Sequence, residues 1–358
     1  MIYLDYQATT PLAPEAREAM LPWLSGPEAM GFANPHSPHR PGRAAAAAIE
    51  VAREQVAALL PPGGRVVFTG SATEAINLAI LGRKPRQAAV SAIEHAAVLD
   101  TAAASGARVR TLAADGEGIV AVQPLDPGTD LVAVMQVNNE IGTIQPVAAW
   151  AEAAHAAGAL FLCDAVQGAG KLAAPEGADL VALSAHKLYG PKGVGALWIR
   201  EGVDLAPLIH GGGQEAGLRS GTLSPALIAG FGAAAALARV RMAEDAAQVE
   251  RLWSLACSLL PDWTLNGSAE RRWHGNLNLR REGLDVARLM SDCRDLAFSA
   301  GSACASGSGR PSHVLRAIGL ADSDAKSSVR LGFGRYTTEK DIEDACARIE
   351  AAATAQRY

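Results

Sequence analysis

Short apolar runs alternate with segments of helical period along much of the chain. The clearest runs are RVVFTG, AAVSAI, LVAVMQVNN, ALFLCDA, LVALSA and GALWIR, each β-rich and closed by polar or glycine residues, as buried strands are. Helical texture fills the gaps: an Ala-rich stretch from Arg43 to Leu60, and Val147 to Ala157, which has room for the crossover helix of a βαβ unit. This alternation predicts an α/β fold with a mainly parallel sheet and helices on both faces. Past Ser224 a long helical pattern runs to Pro261, and beyond it the texture becomes mixed and polar. The strand candidate NLNLR, a helix through VARLM and a terminal helix after Thr338 suggest a smaller α+β unit. The expected division is a large domain over 13–240 and a small one from 1–12 with 241–358. No internal repeat is found, and the alanine run 44–48 reads as a helix face.

Length and composition narrow the classes. With 358 residues, 49% hydrophobic and 19% charged, the chain has the balance of a globular protein with more than one core. A net charge of −5 without a dense basic cluster argues against nucleic acid as a partner. The longest nearly apolar stretch, Ala226 to Ala238, is too short to span a bilayer, and the opening MIYLDYQATT lacks the pattern of a secretory signal. A cytoplasmic protein is expected. Five cysteines, without framework-like spacing, fit free thiols in a reducing compartment.

In open parallel sheets ligands bind beyond the carboxyl ends of the strands. Those ends are polar here: Ser71-Ala72-Thr73-Glu74, Glu94-His95, Asn138-Asn139-Glu140, Asp164, and His186-Lys187. Lys187 follows an apolar strand, where a solvated surface lysine is the ordinary outcome, but Asp164 ends the neighbouring strand candidate. Pyridoxal-phosphate sites need that pair, an amine to hold the cofactor and a carboxylate to keep its ring nitrogen protonated. Ser71 to Thr73, before a helical pattern, would present free N–H groups to a phosphate or act as a plain N-cap. Ser184 and His186 could add contacts. Cys304 lies in the small-residue segment FSAGSACASGSGRPS and has nucleophile character. Cys163, Cys257 and Cys346 lie in apolar or helical patterns that favour inert thiols, and Cys293 is undecided. His36 and His39 lack a third ligand nearby, so no metal site is expected. Arg330 has the side chain for bidentate carboxylate binding, or for a structural place in its strand.

Ten motifs, from LDYQATTP and NPHSPHRPGR through FTGSATEAINLA, EHAAV, VNNEIGTIQP, CDAVQGAGK, SAHKLYGPKGVGAL and GGGQEAGLRSGT to GSACASGSGRPSHVLRAIGL and SSVRLGFGRYTTEKDI, run essentially end to end. Together they resemble the cysteine desulfurase family of the nitrogen-fixation and housekeeping iron–sulfur type, within the class V aminotransferase group of fold-type-I pyridoxal enzymes. The resemblance implies a mainly parallel seven-stranded sheet flanked by helices, with a smaller α+β domain carrying the Cys304 loop. It implies pyridoxal 5'-phosphate as cofactor, Lys187 as the lysine that holds it, Asp164 at the ring nitrogen, His95 stacked on the ring for acid–base work, and Gln167 at the phenolic oxygen. Ala72, Thr73, Ser184 and His186 would hold the phosphate from one subunit and Thr222 from the other of a homodimer. Asn139 would lie at cofactor and substrate, and Asn34 with Arg330 would fix the substrate carboxylate.

The implied reaction takes sulfur from L-cysteine, releases L-alanine and leaves a persulfide on Cys304. An acceptor or iron–sulfur scaffold protein would then take that sulfur. Cys304 is also a conceivable transient cluster ligand. The length of its segment matches the long-loop branch of the family. Two departures stand out: GSATEAIN replaces a pattern closer to SGATESDN, and the chain ends at Tyr358 where housekeeping members carry an extension used in scaffold docking. Two rivals remain at this level. One is another class V enzyme, such as a selenocysteine lyase or an aminotransferase; the other is a non-enzymatic scaffold.

Overall fold

The computed structural model describes residues 1–301 and 312–357. Seven strands form one sheet in the order Gly64–Thr69, Gly195–Arg200, Leu180–Ser184, Leu160–Asp164, Leu131–Ala133, Gln87–Ser91, Arg108–Leu112. Gly195–Arg200 runs antiparallel to both its neighbours, and every other pairing is parallel. Six strands therefore share one direction and deliver their carboxyl ends to one edge. This is the mainly parallel seven-stranded sheet that the alternating texture and the resemblance predict.

Strand residues alternate between two cores, as the two-residue period requires. Val66, Phe68, Phe161, Val181, Leu183 and Trp198 enter one core; Val67, Leu131, Leu162, Leu180, Ala182 and Leu197 enter the other. The first face is covered by helices Arg40–Ala57, Val147–Ala156 and the first half of Pro225–Leu259, the second by Ala72–Arg83 and Ala96–Ala104. Small residues let these helices approach closely. A Cβ on Gly232 would stand 2.6 Å from Ala52 Cα, so glycine is required where the long helix crosses Arg40–Ala57.

A second, antiparallel sheet has the order Ser299–Ala300, Ser328–Gly332, Asn276–Arg280, Thr264–Leu265. It packs with Val286–Asp292 and Glu339–Thr354 around a core containing Leu277, Leu289, Leu331 and Ile349. The 35-residue helix Pro225–Leu259 belongs to both units. Ile228, Phe231 and Ala235 lie in the first core, Leu252 and Ala256 in that of the small sheet. By length and composition this helix could cross a membrane. Part of its apolar surface is instead buried in these two cores, while Val240 is exposed.

The predicted helix Arg43 to Leu60 is observed as Arg40–Ala57. His39 Nδ1 accepts from Gly42 N at 3.2 Å and Pro41 occupies the first turn, which moves the start forward; Pro61 and Pro62 prevent continuation past Leu60. The strand Arg108–Leu112, which the sequence reading lacks, lies at the sheet edge with three of its five residues exposed. LVAVMQVNN pairs as strand only over Leu131–Ala133. Beyond it the amide of Met135 turns to the carboxylate of Glu94, at 2.6 Å, and leaves the ladder.

Candidate active site

Along the carboxyl edge of the large sheet the chain leaves the plane at five places, and their side chains surround a cavity of about 340 Å³. Asp164 is the last residue of its strand and is 5% exposed. Its Oδ1 accepts from Val166 N at 2.9 Å. Burial pushes its carboxyl upward, against the opposing pull of that N–H, His95 and Lys187.

Lys187 closes a single 3-10 turn, Ala185–Lys187, directly after the strand Leu180–Ser184. Its Nζ donates to the carbonyl oxygen of Gln7 and, at 2.7 Å, to that of Ala8. The amino-terminal segment thus meets the lysine. Gln167 Nε2 donates to the same Gln7 oxygen at 3.0 Å, while its buried Oε1 has no partner among the described residues. His95 is the N-cap of Ala96–Ala104, with Nδ1 accepting from Ala97 N at 3.1 Å. In the neutral ring that bond leaves the proton on Nε2.

The other end of the cavity suits an anion. Ala72 and Thr73 open the helix Ala72–Arg83, whose first N–H groups lack intrahelical acceptors. Ser71 Oγ accepts from Glu74 N at 3.2 Å, so the N-cap is present and two further N–H groups remain. Gly195 lets this turn approach the sheet, because a Cβ there would stand 2.5 Å from the Ser71 carbonyl carbon. Ser184 and His186 line the same wall. Burial first, then Lys187, Lys192 and Lys171, hold His186 down at about 4; burial and Lys187 bring half-buried Lys171 down to about 7. The open N–H groups at this helix start suit a negatively charged ligand.

Arg330, on the small sheet, reaches the cavity with its side chain 1% exposed. It donates to Asn139 O at 2.9 Å and to Asp5 Oδ1 at 2.8 Å, and its buried Nε has no partner among the described residues. Ser299 Oγ donates to the same Asp5 oxygen at 2.9 Å. Asn139 lines the cavity too. Its neighbour Glu140 is buried and accepts from Ser312 Oγ, while His313 Nε2 lies 2.9 Å from the Glu94 carbonyl oxygen.

The structure therefore gathers Lys187, Asp164, His95, Gln167, Ala72, Thr73, Asn139, Ser184, His186 and Arg330 around one cleft. Thr222 is exposed and lines a different cavity beside Arg219. Asn34 is exposed and accepts from His36 N at 2.9 Å, away from the cleft. Cys304 lies outside the described residues. Gln7, Ala8, Met135 and Asp5 were missed by sequence reasoning; the LDYQATTP motif marked the segment, but the contacts of Gln7 and Ala8 to Lys187 are backbone carbonyls without a side-chain signature. The four described cysteines are free. Burial raises the thiols of Cys163, Cys257 and Cys293, and that of Cys346 to about 12, which disfavours the reactive thiolate.

The chain matches the model of the class-V aminotransferases over residues 2–344. It is 42% identical over 372 residues to the cysteine desulfurase IscS of Shewanella loihica, covering 97% of this chain and 91% of that protein. Among solved structures it is similar to a NifS-like protein from Rickettsia africae, with a TM-score of 0.89, 29% identity and coverage of 98% and 99%. It is also similar to SspA in complex with cysteine, with a TM-score of 0.82, 34% identity and coverage of 94% and 100%. A family match over nearly the whole chain, together with a full-length relative well above 30% identity, establishes that the chain belongs to the class-V aminotransferase family and, within it, to the cysteine desulfurases.

Proposed function

We propose that this chain takes sulfur from L-cysteine, releases L-alanine and carries the sulfur as a persulfide on Cys304. The observation that supports this best is the convergence of Lys187, Asp164 and His95 on one cleft at the sheet edge. The cysteine bound in the SspA relative supports the substrate.

The cofactor is pyridoxal 5'-phosphate, and the residues present fit it. Lys187 would hold it, Asp164 would face its ring nitrogen, and Gln167 Nε2, which gives one N–H to the Gln7 carbonyl, has a second N–H for its phenolic oxygen. The helix start at Ala72 and Thr73, with Ser184 and His186, offers N–H and side-chain donors for its phosphate. When bound, this group supplies an electron sink for the charge left when a proton leaves the substrate α-carbon.

The chain's own residues supply the remaining functions. The Arg330 guanidinium binds the substrate carboxylate, with Asn139 beside it, and so orients the α-carbon. Lys187 Nζ takes the α-proton. His95 is placed to move a proton within the cleft. The Cys304 thiolate attacks the substrate sulfur: an S–S bond forms as the Cβ–S bond breaks, and that bond's electron pair passes to the carbon skeleton. The skeleton takes up one proton at Cβ, regains at Cα the proton that Lys187 Nζ took, and leaves as alanine. Net, the thiol proton of Cys304 replaces sulfur on carbon.

Exposed Thr222 fits a role toward a second subunit, and a homodimer is part of this proposal; the exposed Asn34 has no partner in the cleft to support its substrate role. A sulfur-acceptor or iron–sulfur scaffold protein would receive the persulfide. Free thiols support a reducing, cytoplasmic location. The test is Cys304→Ala, assayed with labelled cysteine and mass spectrometry. Persulfide should vanish while the lysine-bound absorbance of the cofactor remains; undiminished alanine formation would overturn the assignment.

A further inference from the structure

Two residues after Lys187 the backbone enters the left-handed region at a bulky side chain: Tyr189 has φ +68°. An aromatic residue there is strained, and such strain persists only where the surroundings over-determine it. Glycine would adopt that φ freely, yet it stands one residue later, at Gly190. Every group of Tyr189 is held. Its N–H donates to Thr10 Oγ1 at 2.7 Å, its carbonyl accepts from Ala13 N at 2.9 Å, and its Oη accepts from Arg335 N at 2.9 Å. The Arg335 guanidinium lies 4.1 Å from the ring centroid. Asp245, on the long helix, fixes that guanidinium through Nε and Nη2 at 3.0 and 2.7 Å. Gly334 makes room, since a Cβ there would stand 2.4 Å from Tyr189 Oη.

The amino-terminal segment and the segment after the small sheet therefore meet at one strained residue beside the lysine, and the long helix is tied to it through Arg335. The amino-terminal segment also receives Lys187 Nζ at Gln7 and Ala8. We infer that Tyr189, Arg335 and Asp245 form a clasp of positioning residues that fixes the turn from which Lys187 reaches the cleft. The inference rests on the reading of Lys187 as the cofactor-holding base. Its chemistry is orientation alone: a proton taken by Nζ needs the amine within a narrow range of direction, and a loosened turn widens that range.

The experiment uses the full chain loaded with pyridoxal phosphate and two variants. Tyr189→Phe removes the acceptor of the Arg335 N–H and keeps the ring; Arg335→Lys keeps a charge for Asp245 but loses the planar fork. Three quantities are measured: the pH midpoint of the visible absorbance band, kcat and KM for alanine release from cysteine, and the thermal midpoint. Both variants should move the spectral midpoint in the same direction, by about half a pH unit or more. They should lower kcat about tenfold, with KM changed less than about twofold. A lowered thermal midpoint with unchanged spectral midpoint and kcat would reduce the clasp to a structural prop and overturn the inference. If Arg335→Lys fails to fold, Tyr189→Phe decides by the same readouts. A lysine-bound band persisting in Lys187→Ala would instead overturn the underlying reading, and the clasp with it.

Discussion

Arg330 Nη2 donates to Asp5 Oδ1 at 2.8 Å, so the cleft's arginine is already charge-paired before any substrate carboxylate arrives. The pair joins the small sheet to the amino-terminal segment, two residues before Gln7, which meets Lys187. A substrate carboxylate would have to use the remaining donors, of which buried Nε has no partner among the described residues.

Arg330→Ala should lower kcat/KM for cysteine about 10- to 100-fold, mainly through KM, the range expected for a lost charge-assisted hydrogen bond. Part of that loss is the Asp5 carboxylate left facing an incoming carboxylate. Adding Asp5→Asn to Arg330→Ala should therefore recover some of the activity. Strictly additive losses in the steady-state kinetics of the four enzymes would refute the coupling.

Glu94 is buried, with one carboxyl oxygen accepting from Met135 N and the other without a partner among the described residues. Burial, and then the Asp164 carboxylate, raise it from 4.5 to about 8. Because the folded value is the higher one, its contribution to stability is complete below the unfolded value near 4.5 and is lost as pH rises through about 8. The slope is at most about 1.4 kcal/mol per pH unit. Glu94→Gln stays neutral at similar size, so its unfolding midpoint should fall less than that of the parent across this window. Parallel curves would show that Glu94 does not carry the effect.

Thiol labelling separates the cysteines. Burial disfavours the thiolate at Cys163, Cys257, Cys293 and Cys346, so alkylation at about pH 8 should mark Cys304 first and the other four only after unfolding. Peptide mapping over a time course reads this directly. Fast labelling of Cys293 or Cys257 in the folded protein would contradict it.

The strands that build the cleft were legible because their apolar runs end at residues that cannot be buried without partners, and those polar ends are what converge. Arg108–Leu112 was not, since a short edge strand that exposes Arg108, Val109 and Thr111 and buries only Leu112 leaves no apolar alternation to read. Lys187, Asp164 and His95 could be picked out by residue type and position. Gln7 and Ala8 could not, because a backbone carbonyl carries no mark in the sequence. Asp5 was missed for another reason: its partner Arg330 lies 325 positions away, and spacing along the chain says nothing about a pair formed by tertiary packing. The Tyr189 clasp escapes for the same reason, and its positive φ falls on a residue type that gives no warning.

At 35 residues, about 52 Å long, the helix Pro225–Leu259 has its two ends embedded in different interiors, and the opening strand Ile2–Tyr3 pairs with Leu296–Ala297 near the other end of the chain. Neither interior can then be excised as a continuous fragment, since Leu4 belongs to the core of the small sheet while Val314, Leu315 and Ile318 belong to that of the large one. A cut at any single position strands part of one unit's packing on the other piece, so halves of this protein should regain structure only when mixed.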